Sequence, residues 1–234
     1  MAKRSYGQYC ALARAFDVIG ERWTPLLLRE LAMGPRRYAD LVEGLPGIGT
    51  SLLAQRLKEL EAEGLVRKRF LSPPAARWVY DLSEEGRDLA QALVPLARWG
   101  AKRMGPRGKG EAFRLEWFLL FLRSAADPSL TKGWHDVYEF HVDDQVFHVV
   151  ADDGRIDAQP GPAPRKPDLT VTTDLDTFVG VGSGQLSLDN PRVLDRMQVD
   201  GDPDAADRCV RLMAPAALAG EAPARAPAPA LSRR

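Results

Sequence analysis

Leu53, Leu57 and Leu60 recur at the spacing of one helix face, while Ser51, Leu52, Gln55, Arg56 and Glu59 fall on the others. This pattern predicts a helix with a single buried stripe beginning at Gly49-Thr50-Ser51, where a hydroxyl is expected to cap the first turn. Gly64 ends it. Leu65 to Phe70 and Arg77 to Leu82 then alternate as two strands around the breaker Ser72-Pro73-Pro74. Upstream, Cys10, Leu12, Ala13 and Phe16 outline an amphipathic helix that ends near Gly20. A second helix starts at Thr24-Pro25, runs through Leu26, Leu27, Leu28 and Leu31 and stops at Gly34-Pro35, with Trp23 as its core anchor. Tyr38 to Val42 gives a short helix and Leu45 to Gly49 a tight turn with Ile48 buried.

Short helix, tight turn, exposed helix and hairpin, in that order, predict a winged helix-turn-helix. Ser83-Glu84-Glu85 opens a further helix whose Leu89, Leu93, Leu96, Ala97 and Trp99 exceed what one small domain needs, so a homodimer is expected. Gly105 to Gly110 reads as a linker. Beyond it, a helix from Phe113 to Ser124 precedes a hairpin of Val137 to Val142 and Val146 to Ala151, with a turn at Asp152-Asp153-Gly154 and a strand at Leu169 to Thr173. Helices around Leu175 to Val181 and Pro191 to Met197, a strand at Gln198 to Asp200 and a last helix capped by Asp202-Pro203 follow. The expected architecture is α+β: a winged-helix domain over residues 1–105, a linker over 106–112, a second domain over 113–213, and a disordered Ala/Pro-rich tail over 214–234.

Charge sharpens the division. The chain holds 32 Lys and Arg against 32 Asp and Glu. Residues 1–105 carry 17 basic and 12 acidic side chains and the remainder 15 and 20, so the net of zero hides about +5 beside about −5. Only the first part is prepared for a polyanion. Arg67, Lys68, Arg69 and Arg77 concentrate charge on the hairpin, suited to phosphates, while Gln55 and Arg56 are suited to adenine and guanine edges in a major groove. Double-stranded DNA is the expected partner.

No apolar run approaches the roughly 18 residues needed to span a bilayer. The N-terminus, Met1-Ala2-Lys3-Arg4-Ser5-Tyr6, lacks the apolar segment of a secretion signal, so a cytoplasmic location without membrane contact is expected. Cys10 and Cys209 fall in different predicted domains, which gives no disulfide framework. His135, His141 and His148 lie close in sequence, but their spacing does not force convergence, so no metal site is expected. Gly180, Gly182 and Gly184 lack the strand, helix and lysine of a phosphate loop and read as a helix stop. No catalytic set and no cofactor follow from these residues.

Gly20-Glu21-Arg22-Trp23-Thr24, Leu26 to Leu31, Arg37-Tyr38-Ala39-Asp40-Leu41, Gly47-Ile48-Gly49-Thr50, Leu53 to Gly64 and Tyr80 to Gly86 together resemble the HxlR-type regulators, a branch of the MarR-like winged helices, over roughly residues 9–104. The resemblance implies that Arg37 and the second helix of the motif lie near DNA, so Arg36, Arg37, Thr50 and Ser51 join the candidate contacts. It also implies a dimeric transcriptional regulator, most simply a repressor. Where the family has Cys-Pro near its N-terminus this chain has Cys10-Ala11. In some relatives that cysteine senses oxidants, which makes Cys10 a redox candidate here, although no basic residue adjoins it.

Residues 113–213 resemble the sterol-carrier-protein-like fold through the hairpin, Pro167 to Val171, Phe178 to Gly184 and Val199-Asp200-Gly201-Asp202. That fold implies an apolar tunnel and an apolar small-molecule effector, with Phe118, Phe121, Phe140, Phe147, Phe178 and Met197 as candidate lining. The alternative reading is a lipid or small-molecule carrier whose winged helix serves in dimerisation or protein contact. The basic hairpin separates the two, since a carrier gains nothing from four clustered cations.

Overall fold

The structure is a computed structural model and describes residues 5–105, 107–108, 110–125 and 127–213. Pro106 and Lys109 of the expected linker and the expected tail lie outside the described residues. The chain is α+β and divides into two compact units, one ending at Leu93 and the other starting at Val94.

The first unit contains α1 (Ala11–Ile19), α2 (Thr24–Ala32), α3 (Tyr38–Gly44), α4 (Thr50–Ala62), β1 (Val66–Leu71), β2 (Arg77–Leu82) and the start of α5 (Glu84–Ala101). Its core gathers Leu27, Leu28 and Leu31 of α2, Leu41 of α3, Leu45 and Ile48 of the turn, and Leu53, Leu57 and Leu60 of α4. Each such leucine contributes about 1.5–3 kcal/mol by leaving water. The side-chain cap expected at the start of α4 is absent: Gly49 is the N-cap and no hydroxyl bonds the first-turn amides. Gly costs only a few tenths of a kcal/mol at this position relative to Ser or Thr.

The end of α4 is closed by Gly64, whose φ of +73° only glycine adopts freely, while the Leu65 N–H bonds the Leu60 carbonyl. That reversal starts β1, which pairs antiparallel with β2 from Val66↔Leu82 to Leu71↔Arg77. α5 is capped by Ser83, whose Oγ accepts the Gly86 N–H at 3.0 Å. A Cβ on Gly86 would stand 2.0 Å from the Leu65 carbonyl oxygen, so glycine is what lets α5 lie against the root of the hairpin.

The second unit holds α6 (Leu115–Ala125), a 3-10 turn (Pro128–Thr131), β3 (His135–Val142), β4 (Gln145–Asp152), β5 (Arg155–Pro160), β6 (Leu169–Thr173), α7 (Leu175–Gly182), α8 (Pro191–Leu194), β7 (Met197–Gly201) and α9 (Pro203–Met213). Its sheet runs β5-β4-β3-β6-β7, with β3 and β6 parallel and every other pair antiparallel. One face, formed by alternate residues such as Tyr138, Phe140, Phe147, Val149 and Val171, packs with Leu115, Leu119 and Leu122 of α6, Phe178 of α7 and Cys209 and Leu212 of α9. β5 and the 3-10 turn were not foreseen, α8 stops at Leu194, and Met197 opens a strand instead of ending a helix. Gly180 sits where a Cβ would meet Leu186 at 2.5 Å, and its carbonyl takes the N–H groups of Gln185 and Leu186, which ends α7 as expected.

Asp136 ties this unit together across the chain. Buried at 5% exposure, it accepts from Arg208 Nε at 2.6 Å, from Arg208 Nη2 at 2.8 Å and from the Tyr138 hydroxyl at 2.8 Å. Burial alone would raise its carboxyl, but the hydrogen bonds and the guanidinium charge outweigh that and hold it below the usual 3.8. A carboxyl lowered in the folded state lends stability above its unfolded value, and that stability is lost as pH falls through the folded one. Asp136→Asn is therefore expected to cost about 2 kcal/mol at neutral pH and to flatten the loss of stability below about pH 4, as read by denaturant unfolding across pH. Unchanged stability and an unchanged acid limb would remove the pair from this role.

Candidate nucleic-acid interface

The α3-turn-α4 motif is fastened by polar contacts at its outer corner. The Tyr38 hydroxyl donates to the Thr50 carbonyl at 2.7 Å, joining the first residues of the two helices. Arg37 donates from its backbone to Asp40 Oδ2 at 2.8 Å and from its guanidinium to Asp40 Oδ1 at 2.6 Å. The Arg37 hydrogen bond holds the Asp40 carboxyl below its usual range against the opposing effect of burial. Arg36 exchanges both backbone hydrogen bonds with Tyr80, at 2.9 and 2.7 Å, which adds it to the free edge of β2. Its Nε is buried without a hydrogen-bond partner.

On α4, Ser51, Ala54, Gln55 and Lys58 form an exposed stripe opposite the buried leucines. Lys58 was missing from the sequence-derived set, although it lies seven residues after Ser51 and therefore on the same face. Thr50 is also exposed. Arg56 has a different place from the one its chemistry suggested. Its side chain is 15% exposed, with Nη2 at 2.8 Å from Glu21 in the α1–α2 turn and Nη1 against Glu59. Gln55 also donates to Glu59, at 2.8 Å. Burial alone would raise the Glu59 carboxyl, but these hydrogen bonds and the Arg56 charge hold it low. Arg56 thus clamps α4 to the α1–α2 turn, and the side chains left facing solvent are smaller and mostly uncharged.

The wing keeps its cations at different degrees of freedom. Arg67 and Arg69 reach Asp81 at 3.4 and 2.9 Å, and Arg87 of α5 stands 3.8 Å from the same carboxylate. Lys68 lies over the rings of Trp78 and Tyr80, at 5.5 and 5.9 Å from their centres. Arg77 Nε donates to the Ala75 carbonyl at 3.1 Å. All four keep part of their surface in water, and against Asp81 they leave the two strands with a net of three positive charges.

Cys10 is exposed at the N-cap of α1 and its side chain makes no capping bond. Tyr9, Leu12 and Phe16 are exposed around α1, as are Leu96, Trp99 and Met104 in and after the second half of α5.

Four of the six residues proposed to line a tunnel close on one another. Phe140 and Phe147 stack at 4.8 Å, and Phe118 and Phe178 meet edge-on at 5.2 Å. Phe121 and Met197 pack half-buried at the margin of that cluster. His135 pairs with Asp152, whereas His141 and His148 do approach one another's neighbourhood: His141 bonds Glu139 at 2.8 Å and Glu139 is the cross-strand partner of His148. Glu139 is held low first by the Ala163 N–H, then by His141. No group of three side chains able to hold a metal occurs among the described residues. No helix among them is long and apolar enough to cross a membrane.

Residues 18–107 match the HxlR-like helix-turn-helix family, and residues 118–214 match the SCP-2 sterol transfer family. An uncharacterized HTH-type transcriptional regulator of Mycobacterium tuberculosis is 40% identical over 105 residues, 45% of this chain. The chain spans 65% of that relative's length. YvaP of Bacillus subtilis, also an uncharacterized HTH-type transcriptional regulator, is 31% identical over 93 residues, 40% of this chain and 86% of its own. YodB, an HTH-type transcriptional regulator of the same organism, is 34% identical over 85 residues, 36% of this chain and 76% of its own. The solved reduced form of YodB matches at 30% identity over 43% of this chain and 100% of that one, with a TM-score of 0.37. With two relatives covered over most of their length at this identity, the chain belongs to the HxlR-like helix-turn-helix family.

Proposed function

We propose that the chain is a cytoplasmic, dimeric, sequence-specific DNA-binding repressor, that it catalyses no reaction, and that an apolar molecule in its second unit controls its hold on DNA. The observation that carries this reading is the exposed Ser51-Ala54-Gln55-Lys58 stripe on α4 next to a hairpin with three net positive charges. The first provides groups for base edges and the second for phosphates. The relatives' names as transcriptional regulators agree with it. The exposed apolar side chains of α1, and separately those of the second half of α5, are surfaces a second copy would cover. Two copies would then present their α4 helices to half-sites about 34–36 Å apart or a multiple of that.

A binding role for the second unit is favoured over a catalytic one because its buried Asp136 and Tyr138 are taken up by one another and by the half-buried Arg208. The match to a sterol transfer family favours an apolar effector. Such a molecule would replace ring-on-ring contacts among Phe118, Phe140, Phe147 and Phe178, so the occupied and empty states would differ in packing.

The test is selection of duplexes from a random pool by the full chain at two salt concentrations. An enriched palindrome that survives higher salt is the expected result; uniform binding erased by salt would defeat the repressor reading and favour the carrier. On the selected duplex, Gln55→Ala is expected to cost about 1–3 kcal/mol and relax preference at one base pair. Arg56→Ala is expected to weaken all sequences alike, since it removes a clamp; relaxed preference at one position would instead make Arg56 a base reader. A fluorescent long-chain fatty acid is expected to weaken duplex binding by the same factor by which the duplex weakens fatty-acid binding. Duplex affinity unmoved by saturating fatty acid would exclude this class of effector.

A further inference from the structure

The two faces of the wing hairpin differ in a way that phosphate contact alone does not explain. On one face the cross-strand pairs run from Val66↔Leu82 through Lys68↔Tyr80 to Phe70↔Trp78. Val66 and Leu82 are buried in the core, whereas Phe70 is 51% and Trp78 58% exposed. An apolar stripe therefore leaves the core and continues to the end of the hairpin. There the two rings meet edge-on at 5.4 Å and hold one another in place, with the Lys68 ammonium over the Trp78 face. Two large aromatic side chains held in water at a hairpin end are a surface awaiting a partner.

The charge around them selects that partner. Lys68 shares the aromatic face, while Arg67, Arg69 and Arg77 lie on the opposite face of the same two strands against the single acidic Asp81, so a second copy of the hairpin would meet like charge. A duplex offers both what the cations and what the rings require: phosphates, and an apolar slot wherever a base step is parted in the minor groove.

We propose that Phe70 and Trp78 form a wedge that enters the minor groove beside the recognised sequence, parts one base step and bends the duplex. This rests on the DNA-binding reading above. Lys68 and the arginines draw the wing onto the phosphates, and Trp78, the more exposed ring, is the leading edge. The consequence is selectivity at a position that no polar side chain touches: pyrimidine–purine steps unstack most easily and are favoured there.

The experiment uses the full chain and the duplex it selects, labelled at both ends so that energy transfer reports the bend. The wild type is expected to bend it by about 20–90°. Trp78→Ala, at an exposed position, is expected to keep the wild-type melting temperature, lose about tenfold in affinity and lose most of the bend, while Trp78→Phe keeps both. A mismatch at the flanking step, which removes the stacking to be broken, is expected to tighten the wild type and leave Trp78→Ala unchanged. A straight duplex in the wild-type complex, or a Phe70→Ala/Trp78→Ala variant that binds and bends like wild type, would overturn the wedge and leave sequence-specific binding intact. Failure of the wild type to enrich any duplex would overturn the DNA-binding reading, and the wedge with it.

Discussion

One buried carboxylate sets the geometry of the first unit's outer surface. Asp81 lies in β2 with its oxygens shared by Arg69 and Arg67 of β1 and approached by Arg87 of α5. An unpaired carboxylate at that depth would cost several kcal/mol, so the hairpin is held in the one register that places Asp81 opposite Arg67. A slip of one residue would turn Asp81 to the other face and expose Val66 and Leu82. The same contacts join the wing to the first turns of α5, where Gly86 allows the helix axis to approach the Leu65 carbonyl. Wing position, strand register and the start of α5 are therefore one choice.

Charge at this site is arranged to be held and still available. Three arginines around one aspartate leave a positive remainder whose side chains stay partly in water. Arg56 is the opposite case. It is clamped by two carboxylates at low exposure, so its value is in orienting α4 against the α1–α2 turn. The division of labour follows from the solvent access of the guanidinium: Arg56, at 15% exposure between two half-exposed carboxylates, orients a helix, and the arginines whose side chains stay in water keep their reach for a polyanion.

Much of this was legible in the sequence because leucine periodicity and glycine placement act locally. Leu53, Leu57 and Leu60 identify the buried face of α4, and Gly64 identifies its end, with no knowledge of the rest of the fold. What was not legible depends on partners distant in the chain. The Arg56 clamp needs Glu21, 35 residues earlier. Glu139 becomes a neighbour of His148 only through the β3–β4 register, which histidine spacing alone does not contain. β5, Arg-Ile-Asp-Ala-Gln-Pro, is an edge strand with only Ile156 and Ala158 facing the core, too few apolar positions to show alternation. Gly49 as N-cap was hidden by the more conspicuous hydroxyls of Thr50 and Ser51 that follow it.

The covalent path between the two compact units runs along α5, and its chemistry is uneven. At one end Gly86 is packed against the root of the wing; further on, Leu89 and Leu93 still join the first core. The units part between Leu93 and Val94, and the next residue is Pro95, inside the helix. Proline has no N–H to give the Gln91 carbonyl, so the turn that crosses the division lacks a hydrogen bond that the turns on either side retain. A helix weakened at that position bends there at less cost than elsewhere. Its N-terminal half approaches the wing through Arg87 and Asp81, and its C-terminal half carries the exposed Leu96 and Trp99. The helix is thus held by the first core on one side of its weakened turn and carries apolar surface in water on the other.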